Sequence, residues 1–322
     1  MELFTGVSLY FLIAVGLFIL ILIYFRIAEH FQITDVPNER SSHSEITIRG
    51  GGIIFALSFL LYAVFDHDIS LLLLAGLLAI SVISFIDDIS ELRIRYRIVV
   101  HLFAVTTLIY AVHGFQNWPL PLIPLVYLLI LGGINAYNFM DGVNGITGLY
   151  SLVIFGSLFY LNRQVAFTDS DFIMLGILSC LVFLFFNFRK RARCFAGDVG
   201  SVGVAFWVIS LILMVVVGTG NLKYILFLSL YGVDAVLTII HRLLLRQDIF
   251  KAHRLHFYQI LANENKVPHL WVSTLYAAIQ LLINVLVVHS DWDFIPLFLV
   301  INAPLCLTYY ILKPRLMKEP YA

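Results

Sequence analysis

The stretch that decides the fold is residues 199–217, VGSVGVAFWVISLILMVVV, which contains no charged side chain. A helix of this length can cross the hydrocarbon core of a bilayer, which is about 30 Å thick. Apolar runs like it recur along the whole chain of 322 residues, which is 61% hydrophobic and only 12% charged. A soluble domain is about 45–50% apolar and about 25% charged. The sequence therefore predicts an all-α, polytopic integral membrane protein.

Eleven such runs are present, and ten spans remain an alternative because the second, third and fifth runs are short. No linker, repeat or low-complexity tract separates them, so residues 1–322 are predicted to form a single domain. The predicted spans are Val7–Phe25, Gly51–Phe65, Leu71–Ile86, Ile98–His113, Leu120–Gly133, Thr147–Leu161, Phe172–Phe186, Val199–Val217, Tyr224–His241, Leu270–Val288 and Phe294–Leu312.

The basic residues predict the orientation of these spans. With eleven spans, all of the 20 lysines and arginines except Arg163 and Lys223 fall on one side. Because basic loops stay in the cytoplasm, this side is predicted to be cytoplasmic, with a periplasmic N-terminus and a cytoplasmic C-terminus. The first apolar run is followed by Arg26 and has no basic residue before it, which is typical of a signal anchor rather than a cleaved signal peptide.

Several functional classes are disfavoured by composition and motifs. The net charge is zero, which gives no field that would attract nucleic acid. Neither the GxxxxGK[ST] loop of nucleotide hydrolases nor the GxSxG elbow of α/β hydrolases is present. The three cysteines lack a metal-binding or CxxC spacing, and we expect free thiols at Cys180, Cys194 and Cys306.

The first two cytoplasmic loops contain candidate residues for binding anions and cations. In the first loop, His43 and Arg49 precede three glycines, which allow a ligand to approach the backbone at a helix N-terminus. The alternative for these basic residues is contact with lipid headgroups. Asp87 and Asp88 open the second loop, where adjacent carboxylates are costly unless a divalent cation or a proton relieves their charge. The alternative is a solvated loop, which the helix dipole disfavours for a negative pair.

The third and fourth loops add oxygen ligands. Asn135, Asn138 and Asp141 are spaced i, i+3 and i+6, so on a helix they would share one face that could ligate a metal or bind phosphate and sugar hydroxyls. Their alternative reading is turn chemistry. Asp198, before Gly200 and Ser201, is predicted to be a metal carboxylate at a helix N-terminus, and its alternative role is that of an N-cap.

The fifth loop contains His253, Arg254 and His256 in the sequence AHRLHFYQ. A cationic set for a pyrophosphate is favoured over a zinc site because a third soft ligand is missing. A membrane-surface amphipathic segment is the alternative. Asp234 lies inside the ninth predicted span, and we expect it to make a packing or lipid-phosphate contact.

Taken together, these loops suit metal-assisted phosphoryl transfer at the cytoplasmic interface. Two other classes remain open at this level. A transporter would place ionisable residues inside its spans, where this chain has essentially Asp234 alone. Another lipid phosphotransferase of the CDP-alcohol type would show a DGxxAR pattern, which Asp141-Gly142 begins, but Gly145-Ile146 stands where Ala-Arg would follow.

Five motifs in order, DVPNERSSH…RGGG, FIDD, NAYNFMDGVNG, FAGDVGS and AHRLHFYQ, resemble the polyprenyl-phosphate N-acetylhexosamine-1-phosphate transferases. This is the superfamily of MraY, WecA and the eukaryotic dolichyl-phosphate GlcNAc-1-phosphate transferase. The AHRLHFYQ form resembles the WbpL/WecA-like branch, which starts O-antigen or similar glycans. The resemblance implies transfer of an N-acetylhexosamine 1-phosphate from a UDP-sugar to undecaprenyl phosphate, with release of UMP, at the bacterial inner membrane. It leaves the sugar and a homodimeric state open.

The resemblance also implies a role for each motif residue. Asp198 matches the Mg²⁺ ligand, with Mn²⁺ as an alternative ion, and Asn138 and Asp141 match residues beside the metal and the diphosphate. Asp87 and Asp88 match a pair that activates the lipid phosphate. The matches to substrate-binding residues are Phe195 on uracil and, near phosphate and sugar, His253, Arg254 and His256.

Overall fold

The computed structural model describes residues 3–37, 45–65, 69–90, 92–249 and 253–318, with side chains described from Ser8 onward. Within these ranges almost the whole chain is helical, and the predicted all-α class is confirmed. The helices are α1 (Leu3–His30), α2 (Ile53–Phe65), α3 (Leu71–Ile89), α4 (Ile94–Ala111), α5 (Gly114–Asn117), α6 (Ile123–Met140), α7 (Ile146–Val165), α8 (Ser170–Asn187), α9 (Gly197–Thr219), α10 (Ser229–Leu244), α11 (Phe257–Gln259), α12 (His269–His289) and α13 (Phe294–Leu316).

A helix forms at each of the eleven predicted spans, and nine of them in the described chain are long and apolar enough to cross a membrane. Short 3-10 turns extend α6 and α10 at their N-terminal ends, at Leu120–Leu122 and Leu222–Leu228. The helix at the second predicted span, α2, has 13 residues. At 1.5 Å per residue it is about 20 Å long, which is short for the hydrocarbon core. Helix α7 has 20 residues but is not among the nine because its sequence is more polar.

One boundary matters for the site. The fifth predicted span ends at Gly133, whereas α6 continues to Met140. Asn135 and Asn138 therefore lie on the last turns of a helix rather than in a loop. Asp141 is the C-cap residue, with φ −86° and ψ 58°, so the predicted helical face does not include it in regular geometry.

Helix α9 is the centre of the bundle and packs against α2, α3, α6 and α7. Its Trp207 ring meets the rings of Phe59, Phe155 and Phe172 with centroid distances of 5.1–5.3 Å. Because lipid tails are as apolar as these side chains, close packing rather than the hydrophobic effect holds such helices together. The N-terminal end of this central helix carries Asp198, and the site is therefore anchored to the most enclosed element of the fold.

The first and fourth loops form a small backbone-paired platform that the sequence did not predict. Strands β1 (Thr34–Asp35) and β2 (Thr47–Ile48) pair antiparallel, and Ile48 also bridges to Cys194. Gly51 N and Gly52 N donate hydrogen bonds to Phe195 O and Ala196 O, over 2.8 Å and 3.0 Å.

The glycines serve this platform. A Cβ atom on Gly52 would lie 2.3 Å from the Cα of Gly200, so only glycine fits between the two segments. The backbone at these glycines does allow a close approach, as predicted, and the segment that approaches it is the start of α9.

Candidate active site

Asp88, at the end of α3, connects this helix to the first loop and to the start of α9. Its carboxylate accepts hydrogen bonds from Arg49 Nε over 2.7 Å and from the backbone N–H groups of Asp198 and Val199, both over 2.9 Å. The side chain of Asp88 is fully enclosed. Free N–H groups at a helix N-terminus favour a negative charge, and Asp88 supplies that charge to α9 from another helix. Its contacts orient Asp198, which is not an N-cap because α9 begins at Gly197.

Two arginines flank the Asp198 carboxylate. Arg49 Nη2 lies 3.8 Å from one of its oxygens, and Arg97 Nη2 lies 3.3 Å from the other. Arg97 Nη1 also pairs with Asp87 over 2.7 Å. Burial opposes ionisation of Arg49, but Asp88 and Asp198 outweigh this effect and raise its pKa, so the guanidinium stays charged. The cluster thus alternates carboxylates and guanidinium groups.

Asn138 and Asp141 reach the same region from the end of α6. Ser201 on α9 donates a hydrogen bond to Asn138 Oδ1 over 3.1 Å, and Thr147 donates one to Asp141 Oδ1 over 2.6 Å. Ser201 lies one helical turn after Asp198, so the Asn138 amide and the Asp198 carboxylate share one side of α9.

Burial raises the pKa of Asp141 to about 7, and the nearby carboxylates of Asp198 and Asp88 add to the shift. The hydrogen bond from Thr147 acts in the opposite direction because it favours the ionised form. A carboxyl group with a pKa near 7 can bind and release a proton at neutral pH.

The candidates of the first and fourth loops have separate outcomes. Arg49 belongs to the carboxylate cluster, whereas His43 lies outside the described residues. Phe195 is half-buried between Cys194 and the start of α9, and its backbone N–H donates to Ile48 O over 2.8 Å. Phe195 therefore lies three residues before Asp198 on the paired platform. Asn135 donates its amide to Leu131 O over 2.7 Å, which satisfies it within its own helix rather than at the cluster.

The fifth loop folds against α6 and α10 rather than on the membrane surface. His256 is 2% exposed, and Tyr258 donates a hydrogen bond to Phe139 O over 2.9 Å. The ring centroids of Phe139 and His256 are 6.0 Å apart. The loop therefore abuts the end of α6, where Asn138 and Asp141 lie.

The two histidines of this loop lie side by side. Their ring centroids are 4.9 Å apart, and Arg254 between them is half-buried. Burial, together with the charges of His256, Arg242 and Lys313, lowers the pKa of His253 to about 3. This pKa favours the neutral imidazole of His253 at physiological pH, and the binding of a pyrophosphate by the His253, Arg254 and His256 set stays a prediction.

Asp234 holds the fifth loop in place. Its carboxylate is buried and accepts hydrogen bonds from Phe257 N over 2.9 Å and from the Tyr276 hydroxyl over 2.7 Å. The Asp234 Oδ1 atom lies 3.4 Å from His256 Nδ1, which is an ion-pair distance, while both ring nitrogens of His256 have no hydrogen-bond partner among the described residues. Of the two contacts expected for Asp234, the structure shows the packing contact and not the lipid-phosphate contact, because its oxygens face the protein interior.

Three site residues were missed by sequence reasoning. Arg97, Ser201 and Thr147 contact the predicted carboxylates or amide, yet nothing in their local sequence separates them from topology signals or helix hydroxyls. Asp234, in contrast, could be identified as a candidate from the sequence, because it is an ionisable residue inside a predicted span. For Arg97, the signal was its position in the first turn of the helix that follows the aspartate pair, near a cluster that needs positive charge.

The donor atoms fit a hard divalent cation. Carboxylate and amide oxygens are the ligands that Mg²⁺ prefers, and it usually keeps several waters and takes substrate phosphates. In the described part of the chain no group of three or more His, Cys, Asp or Glu residues forms a closed metal site. Of the predicted ligands, Asp198 lies on α9, and Asn138 of α6 accepts a hydrogen bond from Ser201 one helical turn further along α9; their binding of an ion stays a prediction.

The fold and the site define a polytopic α-helical membrane protein with an enclosed carboxylate and arginine cluster at one end of its helices. The sequence pattern of Glycosyl transferase family 4 matches residues 70–216, which include all the aspartates and asparagines of the cluster. The resemblance that the motifs indicated is therefore confirmed over the segment that holds the cluster.

Curated relatives of this chain share one name, undecaprenyl-phosphate alpha-N-acetylglucosaminyl 1-phosphate transferase. The protein of Escherichia coli strain K12 is 26% identical, and the match covers 89% of this chain and 87% of the relative. The protein of Salmonella typhi is 28% identical over 93% of this chain and 89% of its own length. The protein of Thermotoga maritima is 25% identical over 89% of this chain and 91% of its own length. The similarity therefore extends beyond residues 70–216 and includes most of the helical bundle.

Proposed function

We propose that this protein transfers an N-acetylhexosamine 1-phosphate from a UDP-sugar to undecaprenyl phosphate and releases UMP. The names of the relatives support the acceptor and the transferred group. The proposed location is the bacterial inner membrane, with the cluster on the cytoplasmic face, because the basic residues favour that orientation. We propose that the product starts O-antigen or a related cell-surface glycan.

One observation carries the proposal. Acidic and amide side chains from the ends of α3, α6 and α9 meet Arg49 and Arg97 at the start of α9, and all of them except Arg49 lie within the segment that matches the family. Reactions that transfer phosphate groups depend on positioning and on balancing the charge of phosphate oxygens. A cluster that combines guanidinium groups with ligands for a divalent cation meets both requirements.

The proposed step exchanges one phosphoanhydride bond for another. An oxygen of the lipid phosphate attacks the sugar-linked phosphorus of the UDP-sugar. The bond from this phosphorus to the bridging oxygen breaks, and UMP leaves with that oxygen and the bond's electron pair. Because one bond of the same kind forms and one breaks, the reaction is close to balanced and can be reversed.

The two neighbouring aspartates have different roles in this proposal. Asp88 is fully enclosed and engaged by Arg49 and by the backbone of α9, so it positions Asp198 rather than touching the substrate. The Asp87 side chain keeps 11% exposure and is tied to Arg97. Asp87 is therefore the member of the pair that we assign to the lipid phosphate, with Asp141 as a second carboxyl group able to hold a proton near pH 7.

Asp198 and Asn138 would hold the divalent cation, Mg²⁺ or Mn²⁺. Such an ion, when bound, neutralises charge on phosphate oxygens and orients them. We assign the guanidinium groups of Arg49 and Arg97 as further hydrogen-bond donors to the diphosphate. Arg49 pairs with Asp88 through its Nε atom, and Arg97 pairs with Asp87 through its Nη1 atom, which holds both groups at the cluster.

The remaining substrate contacts are assigned by position. Phe195 lies near Asp198 on the platform, where an aromatic ring can stack on the uracil base. The loop held by Asp234 abuts the end of α6 and is assigned to the sugar and its phosphate. The residues that we assign to UDP-sugar binding are Arg49, Phe195, His253, Arg254 and His256, while His43 and Asn135 stay sequence-based predictions.

The decisive experiment is a donor panel with the purified protein and undecaprenyl phosphate, read as UMP released. UDP-GlcNAc, UDP-GalNAc, UDP-FucNAc and UDP-QuiNAc are the candidate donors. We expect one or more of them to give UMP together with a lipid-linked diphosphosugar. If none of the four yields both products while the protein stays folded and Mg²⁺ is present, the proposed function is refuted.

A variant pair tests the site separately from the fold. Asp198→Asn keeps the volume of the side chain but removes its charge, and we expect UMP release to fall by at least about 100-fold because the charge-balancing term of phosphoryl transfer is lost. Asp169→Asn is the control, since Asp169 caps α8 and accepts from Tyr62 far from the cluster. Full turnover by Asp198→Asn would contradict the assignment.

A further inference from the structure

A groove between α10 and α13 lies outside the carboxylate cluster. It has a volume of about 470 Å³, and its walls include Leu237, Ile240, Leu244 and Tyr310. Ile240 is 40% exposed, Leu244 77% and Tyr310 60%. Since both helices are candidate membrane spans, these exposed apolar side chains face the lipid phase, and the groove opens to it.

The polar end of the groove contains a buried ammonium group. Lys313 is 2% exposed, yet among the described residues it forms no ion pair, and its Nζ atom donates to the Tyr309 hydroxyl. The Nζ atom also lies 4.3 Å from the centroid of the Tyr309 ring. An ammonium group has three donors, and burying it without a counter-ion is costly. His241 and Lys318 line the same groove.

The groove lies at the level of the lipid headgroups. Lys313 is in the last turn of α13, and Asn265 of the fifth loop donates to Leu316 O over 3.0 Å. This end of α13 is therefore beside the loop that abuts the catalytic cluster. Apolar walls with cations at the interfacial end suit a molecule that has acyl chains and a negatively charged headgroup.

We propose that this groove binds an anionic phospholipid of the bilayer, with Lys313 contacting its phosphate. Neither α10 nor α13 contributes a residue to the carboxylate cluster, so the phosphate bound here is not the one that reacts. The Tyr309 hydroxyl shares a hydrogen bond with Thr238 over 2.9 Å, and Thr238 also donates to Asp234 over 3.3 Å. The bound phosphate is thus connected through Lys313 to the carboxylate that holds the fifth loop.

The test compares lipids on the purified full chain in a neutral detergent, with binding measured by native mass spectrometry and thermal unfolding. Phosphatidylglycerol, phosphatidylcholine, inorganic phosphate and undecaprenyl phosphate are added in separate arms. We expect at least about tenfold preference for phosphatidylglycerol over phosphatidylcholine in the wild type. Lys313→Gln should lose that preference. Lys223→Gln is the matched control and should keep it, because Lys223 is also buried but donates to Ser290 O and does not line this groove.

A second variant covers the case in which Lys313→Gln does not fold. Ile240→Trp fills the groove without changing its charge and should also lose the preference, whereas Leu282→Trp on the exposed side of α12 should not. Retention of the preference by Lys313→Gln, or by Ile240→Trp, overturns the proposal. Equal protection by inorganic phosphate means a soluble-anion site, and binding of undecaprenyl phosphate alone means an acceptor groove; both results overturn it.

Discussion

Replacing Asp88 with asparagine tests whether this residue positions the site. The substitution removes the negative charge that pairs with Arg49 over 2.7 Å. It also puts an NH₂ group where one oxygen accepts from the backbone of α9, and either Asp198 N or Val199 N then loses its acceptor. Removing one partner of a fully buried pair costs about 3–5 kcal/mol. Because the Arg49 side chain is 36% exposed and keeps Asp198 at 3.8 Å, we expect a loss at the lower end of this range, about 3 kcal/mol.

The matched variant is Asp87→Asn. Asp87 accepts from Leu92 N over 2.8 Å and pairs with Arg97, and the asparagine can keep the first contact. We expect this variant to lose only about 1–2 kcal/mol, the value of one charge-assisted hydrogen bond that is partly open to solvent.

Both variants are measured by denaturant unfolding in detergent micelles and by UMP release. We expect Asp88→Asn to be less stable than Asp87→Asn by about 1–2 kcal/mol, the difference between the two losses. Both should be impaired in turnover, but for different reasons. If Asp88→Asn unfolds like the wild type while turnover is abolished, Asp88 acts in the chemistry and its assignment as a positioning residue is refuted.

Five further outcomes are expected. Chelation with EDTA should abolish UMP release and added Mg²⁺ should restore it; unchanged rates in chelator would contradict a metal-assisted reaction. Turnover should rise as pH increases through about 7, because the raised pKa of Asp141 keeps its carboxyl group protonated below that pH. Thr147→Ala removes the hydrogen bond that favours the carboxylate, so the midpoint of the pH profile should move upward, and an unmoved midpoint would exclude Asp141 as its source. Asp234→Asn should raise the KM for the UDP-sugar more than it lowers kcat, since it loosens the fifth loop; a variant with wild-type kinetics would separate that loop from binding. Gly52→Ala should lower the free energy of unfolding by about 1–3 kcal/mol through overpacking against Gly200, and wild-type stability would rule out this close approach.

The positions of the site motifs along the chain could be predicted from the sequence alone. Carboxylates are rare in this chain, and those of Asp87, Asp88, Asp141 and Asp198 occur beside apolar runs, where a charge needs a specific reason. Alternation of spans then puts their loops at one end of the bundle. The expectation that Asp88 and Asp198 lie together follows from this topology, and the hydrogen bond between them agrees with it.

The partners of these residues could not be predicted in the same way. Arg97 and Ser201 gain their roles from helix rotation and depth, which periodicity along one chain does not specify. The neutrality of His253 likewise depends on burial beside other cations, a property of the assembled loop. The platform of β2 against Cys194 joins residues more than a hundred positions apart, and such pairing has no local signal.

The sequence by itself determined that this chain crosses a membrane, roughly where each helix lies, and which loops concentrate polar chemistry. These properties depend on the hydrophobicity and charge of residues that are neighbours in sequence. The reason is that the bilayer accepts apolar helical segments and keeps basic loops on the cytoplasmic side. Only the tertiary structure decided which of two adjacent aspartates is enclosed, that Asp234 holds the fifth loop, and that Lys313 is buried beside a groove. Those outcomes depend on distances and on exclusion from solvent between segments remote in sequence, which are set when the helices pack.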